Sequence, residues 1–263
     1  MSASAESPLR AVSLRSAPTR DVRLPDASAS DGREAGYCLV EDGGVLRQVR
    51  FRGDARLWEW PGVFEHLVRS LLRGNAPGAL CHLLDRQLRA AKVRPQDLRV
   101  IDLFAGNGWM GEELAALGVN EIVGVDANTV TAAAVERDHP DVYRDFLVLD
   151  MRRLSESHRD ELMAYDFNCL TCVDALAAEE PAPNAFTEAF NLLAPDGWAA
   201  FHLNAETAEG GRDSRFARLV HRMIASGAMN IAHQQRYRHR FSTHGTPLFH
   251  VAVIARKVRD FEP

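Results

Sequence analysis

Three features between Leu98 and Val130 could do chemistry together. Asp102 lies inside a short apolar run, Val100 to Phe104, of the length of a buried strand. A glycine turn follows, Gly106-Asn107-Gly108. A second apolar run, Glu121 to Val125, ends in Asp126. Glycines allow a sharp turn and close approach of a ligand to the main chain. An acid at the tip of the second strand can accept hydrogen bonds from the two hydroxyls of a ribose. Met110, Leu114 and Leu117 recur at helical spacing between the runs, and Gly118 stops them. The element that must position the chemistry is therefore one strand, helix, strand unit. Its plain alternative is a helix-capping turn with a solvated acid, which leaves the coincidence of turn, stop and terminal acid unexplained.

Two nucleoside cofactors compete for such a unit. Gly106-Asn-Gly108-Trp-Met-Gly111 matches the GxGxxG of dinucleotide sites, which also use a second-strand acid. A carboxylate at Asp102 is unfavourable beside a pyrophosphate and favourable beside a cationic ligand. The pair of acids therefore points to S-adenosylmethionine, which carries an ammonium and a sulfonium.

From Val93 to Val258 the chain resembles the class I, Rossmann-like S-adenosylmethionine-dependent methyltransferases of the small-molecule type. The resemblance is carried by Val100-Ile101-Asp102-Leu103-Phe104-Ala105-Gly106-Asn107-Gly108, by Asp126, by Asp150-Met151, by the run Asp166 to Val173 and by the turn Pro195-Asp196-Gly197. It implies that Asp102 and the Gly106 to Gly108 turn hold the methionine part. Asp126 would hold the ribose, and Asp150 and Met151 would flank adenine. The implied cofactor set is Asp102, Phe104, Ala105, Gly106, Asn107, Gly108, Asp126, Ala127, Asp150, Met151 and Thr171, with S-adenosylhomocysteine as product. The implied fold class is α/β: a three-layer αβα sandwich around a seven-stranded, mostly parallel sheet closed by a C-terminal antiparallel pair.

Composition bounds the rest. The chain has 263 residues, 46% of them hydrophobic, enough for one sizeable core. Its net charge of -5 gives no global attraction to nucleic acid or acidic membranes. There is no apolar run near the length of a membrane span and no signal-peptide core. The expectation is a cytoplasmic protein with a small-molecule substrate, no nucleic acid or membrane partner and a homodimer left open. Cys169 and Cys172 form a CxxC, but within an apolar strand pattern and without a second pair, so they read as core and no metal is expected.

Residues 1–35 lack a sustained period and read as a mobile arm. Residues 36–92 read as an N-terminal cap: a hairpin from Gly36 to Phe51 around Gly43-Gly44, then helices Val63 to Leu72 and Pro77 to Ala91, the second capped by Asn75. Trp58 and Trp60 are candidate substrate-pocket walls. Residues 93–263 read as the cofactor domain. Expected there are a helix Thr129 to Glu136, strand Phe146 to Leu149, helix His158 to Ala164 with a Ser157–Asp160 capping box, strand Phe167 to Val173, helix Ala185 to Leu193, strand Trp198 to Leu203 and helix Phe216 to Ala225. Two long strands, Met229 to Phe241 and Leu248 to Val258, close the chain. In the first, Tyr237 and His239 share one face, and Arg236, Arg238 and Arg240 the other.

Methyl transfer from a sulfonium is an in-line displacement that needs positioning, dryness and, for a poorly acidic nucleophile, a base. Candidate catalytic residues near strand ends are His202, Asp174 and His239, with Asn204 as a substrate contact. After the fourth strand, Thr171-Cys172-Val173-Asp174 lacks the Asn/Asp-Pro-Pro-aromatic run of amino-directed nucleic-acid methyltransferases. The reading is methylation of oxygen or nitrogen on a small metabolite. An NAD(P)-binding oxidoreductase and an inactive methyltransferase-like subunit are the alternatives.

Overall fold

The computed structural model describes residues 20–26, 36–173, 182–210 and 214–262. The chain opens with a three-stranded antiparallel sheet: β1 (Val22–Arg23), β2 (Tyr37–Asp42) and β3 (Val45–Arg50). The hairpin β2–β3 turns at Gly43-Gly44, both at positive φ. β1 falls within the stretch expected to be a mobile arm; it is held by pairing Val22 with Val40. Two short helices follow, α1 (Arg56–Glu59) and α2 (Val63–Glu65), and α2 continues as a wider π-type helix over His66–Leu71. Val22, Val40, Val49, Leu57, Val63 and Leu67 bury their side chains together with Trp109, so this cap has its own apolar centre seated on the glycine unit.

α3 (Ala76–Ala90) begins at Asn75, whose side chain makes no capping bond; its backbone N–H instead donates to the His239 carbonyl at 3.2 Å. β4 (Arg99–Leu103), α4 (Trp109–Leu117), β5 (Glu121–Asp126) and α5 (Thr129–Asp138) form the glycine unit. Next come β6 (Asp145–Val148) and α6 (Glu156–Met163). The cap of α6 is Ser155, accepting from the His158 N–H at 3.2 Å, rather than Ser157. β7 (Cys169–Cys172), α7 (Pro183–Asn191), β8 (Trp198–Asn204), α8 (Ala205–Ala208) and α9 (Arg215–Ala225) lead to the final pair, β9 (Met229–Phe241) and β10 (Pro247–Lys257).

The main sheet has the order β6-β5-β4-β7-β8-β10-β9. β6, β5, β4, β7 and β8 run parallel, and β10 is antiparallel to both β8 and β9. Strand order reverses at β4, so a crevice opens outside the carboxyl ends of β4 and β7. On one face Ile101, Leu103 and Phe201 of the sheet pack against Phe186 of α7 and Phe216 of α9. The other carries Val100, Ile122, Cys169, Ala200 and Ala252 beneath α3 and α4. This is the three-layer sandwich the sequence implies.

One element departs from simple alternation. The β9–β10 register shifts between Leu248 and Phe249, so Arg240 pairs with Leu248 and Arg238 with Phe249. The bulge turns both His239 and Arg240 inward, each about 1% exposed. The expected arginine row is thus broken: Arg236 and Arg238 stay exposed and Arg240 does not. No helix among the described residues is long and apolar enough to cross a membrane.

Candidate active site

The site is built on the carboxyl ends of β4, β5 and β7. Phe104 leaves β4 at φ 60°, a backbone region costly for an aromatic residue. Gly106, at φ 57°, continues the reversal, and Trp58 stands over it, close enough that an added Cβ would sit 3.3 Å from the indole edge. Asp126, half-buried at the tip of β5, accepts from the Gly106 N–H at 3.1 Å and the Asn128 N–H at 2.9 Å. The second-strand acid and the glycine turn are thereby one hydrogen-bonded unit. Asn128 in turn caps α5 through the Val130 N–H.

A cavity of about 210 Å3 opens here, lined by Trp58, Phe64, Pro77, Phe104 to Asn107, Trp109, Met110, Asp126 and Val173. Of the expected residues it gathers Trp58, Phe104, Ala105, Gly106, Asn107 and Asp126. Phe64, Pro77, Trp109, Met110 and Val173 were not singled out as site residues. Their apolar character is legible in the sequence, but their convergence depends on how the cap sits on α4.

Asp102 lies under this cavity rather than in its wall. It is 1% exposed, and its two oxygens accept from Tyr143 Oη and Thr171 Oγ1, each at 2.7 Å. Burial pushes its carboxyl up to about 6; the two hydroxyl donors pull the other way, and the charge of Asp126 adds to the rise. Thr171 is fully buried and serves Asp102. Gly111 makes room for Tyr143: a Cβ there would lie 2.6 Å from the tyrosine Cζ.

The remaining expected residues are dispersed. Asp150 is gripped by Arg152 through Nε and Nη2, each at 2.8 Å, which holds its carboxyl down at about 2. Met151 is 2% exposed within the apolar core, and Ala127 is exposed. The Trp60 ring is met by Arg20 at 4.5 Å and Arg56 at 5.7 Å, and it is not part of the cavity lining. Asn204 caps α8, accepting from the Glu206 N–H at 2.9 Å. Asp174 lies outside the described residues.

His202 and His239 do come together, with a third histidine, His250, that sequence reasoning missed. His202 is one residue past the Cys172–Phe201 pair, next in line to the cavity residue Val173. Its Nδ1 is 2.9 Å from the Tyr237 hydroxyl. Burial, then His250, push its pKa well below the ordinary histidine value. His250 is held down at about 4 by burial and by Arg240.

A buried ion cluster ties the cap to the glycine unit. His139 Nε2 lies 2.8 Å from Glu65 Oε1, and Arg69 Nη2 reaches Glu112 Oε2 at 2.6 Å and Glu65 at 3.6 Å. Burial pushes Glu65 up, but the bond to His139 and the charge of Arg69 outweigh it and leave its carboxyl below its ordinary value. Cys169 and Cys172 are buried thiols, and burial holds the Cys169 thiol up at about 12. They are core, as their strand pattern implies.

A family model described as a methyltransferase domain matches residues 72–249. The chain belongs to that family. Two solved structures share the fold. One is a candidate RNA methyltransferase from Pyrococcus horikoshii, 12% identical, with a TM-score of 0.52 over 70% of this chain and 86% of that one. The other is magnesium protoporphyrin IX methyltransferase from Synechocystis with S-adenosylmethionine bound, 13% identical, with a TM-score of 0.51 over 77% of this chain and 94% of that one. At such identities the likeness shows the fold alone. No curated protein matches the chain. The methyltransferase assignment accounts for the antiparallel β9–β10 closure, and no observation favours the dinucleotide or inactive-subunit alternatives. The cofactor of this methyltransferase is S-adenosylmethionine.

Proposed function

We propose that this methyltransferase transfers the methyl group to an oxygen or nitrogen of a small organic acceptor, held in the apolar cavity over Gly106. The observation that carries the reading is the Asp126–Gly106 hydrogen bond at the cavity wall. It puts a ribose acceptor beside a turn whose main chain a ligand can approach. In this reading Asp126 takes the ribose, and Phe104, Ala105, Gly106, Asn107 and Gly108 cradle the methionine part. Asp102 acts from beneath as a buried negative charge rather than by contact, with Thr171 as its support. Asp150, Met151 and Ala127 line the adenine end, where the adenine amine must share Asp150 with Arg152.

The acceptor enters between the cap and β7. Trp58, Phe64, Pro77, Trp109 and Val173 surround it with apolar surface, which excludes water from the displacement. A small acceptor is supported by the mostly apolar lining and the net charge of -5. His202 is the candidate base, one strand away from Val173; His239 lies behind it, and Asn204 and Trp60 keep their structural tasks. The division into cap (36–92) and cofactor domain (93–263) fits the separate apolar centre of the cap, although α3 packs on the sheet. The four cysteines are buried thiols, which supports a reducing, cytoplasmic setting.

Calorimetry with S-adenosylhomocysteine, then a metabolite screen with labelled methyl donor, tests the proposal. Cofactor binding with label in a small product is the expected result. Label recovered only in added RNA would overturn the small-acceptor reading.

A further inference from the structure

Three neighbouring strands, β8, β10 and β9, bring His202, His250 and His239 to one point. Each is at least nine-tenths buried, at 5%, 6% and 1% exposure. One ligand atom from each lies within 4.8 Å of the others. His239 and His250 stack at 3.9 Å between ring centroids, and His202 meets His250 edge-on at 4.6 Å. From this geometry we infer a three-histidine site for a divalent transition metal of the zinc type, held by His202, His239 and His250.

Two observations beyond proximity point to an ion. The Nδ1 of His250 is buried without a hydrogen-bond partner among the described residues, a costly state that a bound ion relieves. Tyr237 stands behind the trio with its hydroxyl 2.9 Å from His202 Nδ1 and 3.5 Å from His239 Nδ1. Metal-binding histidines are characteristically oriented in this way through the nitrogen that does not ligate. Tyr237 thus assigns Nε2 of His202 and His239 to the metal, with Nδ1 of His250 as the third ligand. A metal-bound His202 has no nitrogen left for a proton, so the base role proposed above belongs to the metal-free chain alone.

Imidazole nitrogens suit zinc, copper, iron and nickel, and three protein ligands leave a position open. Bonds of about 2.0–2.1 Å in a tetrahedral arrangement place nitrogens roughly 3.4 Å apart. The trio must therefore contract slightly, and one ring of the stacked pair must turn. The strands supply a rigid floor for this. Arg240, buried beside His250, opposes a dication and weakens the expected affinity. The other mixed cluster, Glu65, Glu112 and His139, already has its carboxylates bridged by Arg69 and is read as an ion pair network.

The test uses the full chain, stripped with chelator and titrated with Co2+ and Zn2+. One equivalent of Co2+ with visible ligand-field bands of a nitrogen-rich, four- or five-coordinate site is expected. X-ray absorption of the zinc-loaded chain should show three imidazole nitrogens. His250→Gln, His239→Gln and His202→Gln are each expected to weaken binding at least 100-fold, and Tyr237→Phe roughly 10-fold. His158→Gln, on an exposed face of α6, should bind as the native chain does. Absence of ligand-field bands in the native chain, or metal affinity unchanged in folded His250→Gln, overturns the inference. The native-chain spectra decide the matter even if a variant fails to fold.

Discussion

Tyr143 donates its hydroxyl proton to Asp102 across 2.7 Å, although the two lie 41 residues apart. The contact exists because Gly111 and Gly124 flank the tyrosine ring; a Cβ at either would come within 3.0 Å of it. The buried acid beneath the glycine turn is therefore held by the strand-to-strand packing of the whole unit. Gly111→Ala should overpack this point, costing about 1–3 kcal/mol. The midpoint of urea unfolding checks it, and an unchanged midpoint would show that Tyr143 has room to move.

The same acid makes stability depend on pH. In the unfolded chain an aspartate titrates near 3.9, whereas in the fold Asp102 titrates at about 6. Between these values the folded state binds more protons. Its contribution to stability therefore falls as pH rises across that window and stays low above it. Asp102→Asn removes the ionisation, so in the absence of ligand its melting temperature at pH 8 should equal or exceed that of the native chain, with the difference closing by pH 4. S-adenosylhomocysteine, carrying an ammonium, should bind the native chain more tightly as pH rises from 5 to 7. That slope should be absent in Asp102→Asn.

Asp126 receives two backbone N–H groups and lines the cavity. Asp126→Ala should weaken S-adenosylhomocysteine binding by roughly 10- to 100-fold, the range for hydrogen bonds to a charged group. Isothermal calorimetry measures this. Native affinity in the variant would remove the ribose from this acid.

Trp58 and Trp60 are two residues apart and have opposite fates. Trp58 packs against Phe64 with tilted rings, centroids 4.4 Å apart, and covers Gly106, whereas Trp60 is met by two arginines. Trp58→Ala should lower ligand affinity and turnover at least 10-fold. Trp60→Ala should leave both within about twofold; what it removes is cation–π contacts of about 0.5–1 kcal/mol each and packing on the cap's own apolar centre. Equal effects from the two would contradict the assigned geometry.

Glu65 is 5% exposed and meets His139 and Arg69. Glu65→Gln leaves Arg69 with one carboxylate fewer in a buried place and should cost about 3–5 kcal/mol. Its unfolding midpoint should fall at high salt as well as low, since a buried pair is poorly screened. A loss seen only at low salt would mark the cluster as solvated.

Local pattern determined much of this protein in advance. Val100 to Phe104, the glycine turn, Gly118 and Asp126 are neighbours in sequence, and their periodicity and turn chemistry act over a few residues, so the glycine unit was legible. The long strand Met229–Phe241 was legible for the same reason, as was the antiparallel closure. The three-layer fold was what the methyltransferase resemblance implied. What the pattern could not carry was contact across distance. Tyr143 reaches Asp102, Trp109 joins the cap, and His250 joins His202 and His239 only once the strands take their order and register. A single bulge opposite Leu248 and Phe249 turned His239 and Arg240 inward against the alternation read from sequence. Such a bulge adds one residue to one strand of a pair, and nothing in the period of either strand announces it. Tertiary packing alone decided which polar groups are buried together, because burial is a property of what two distant segments place on either side of a residue.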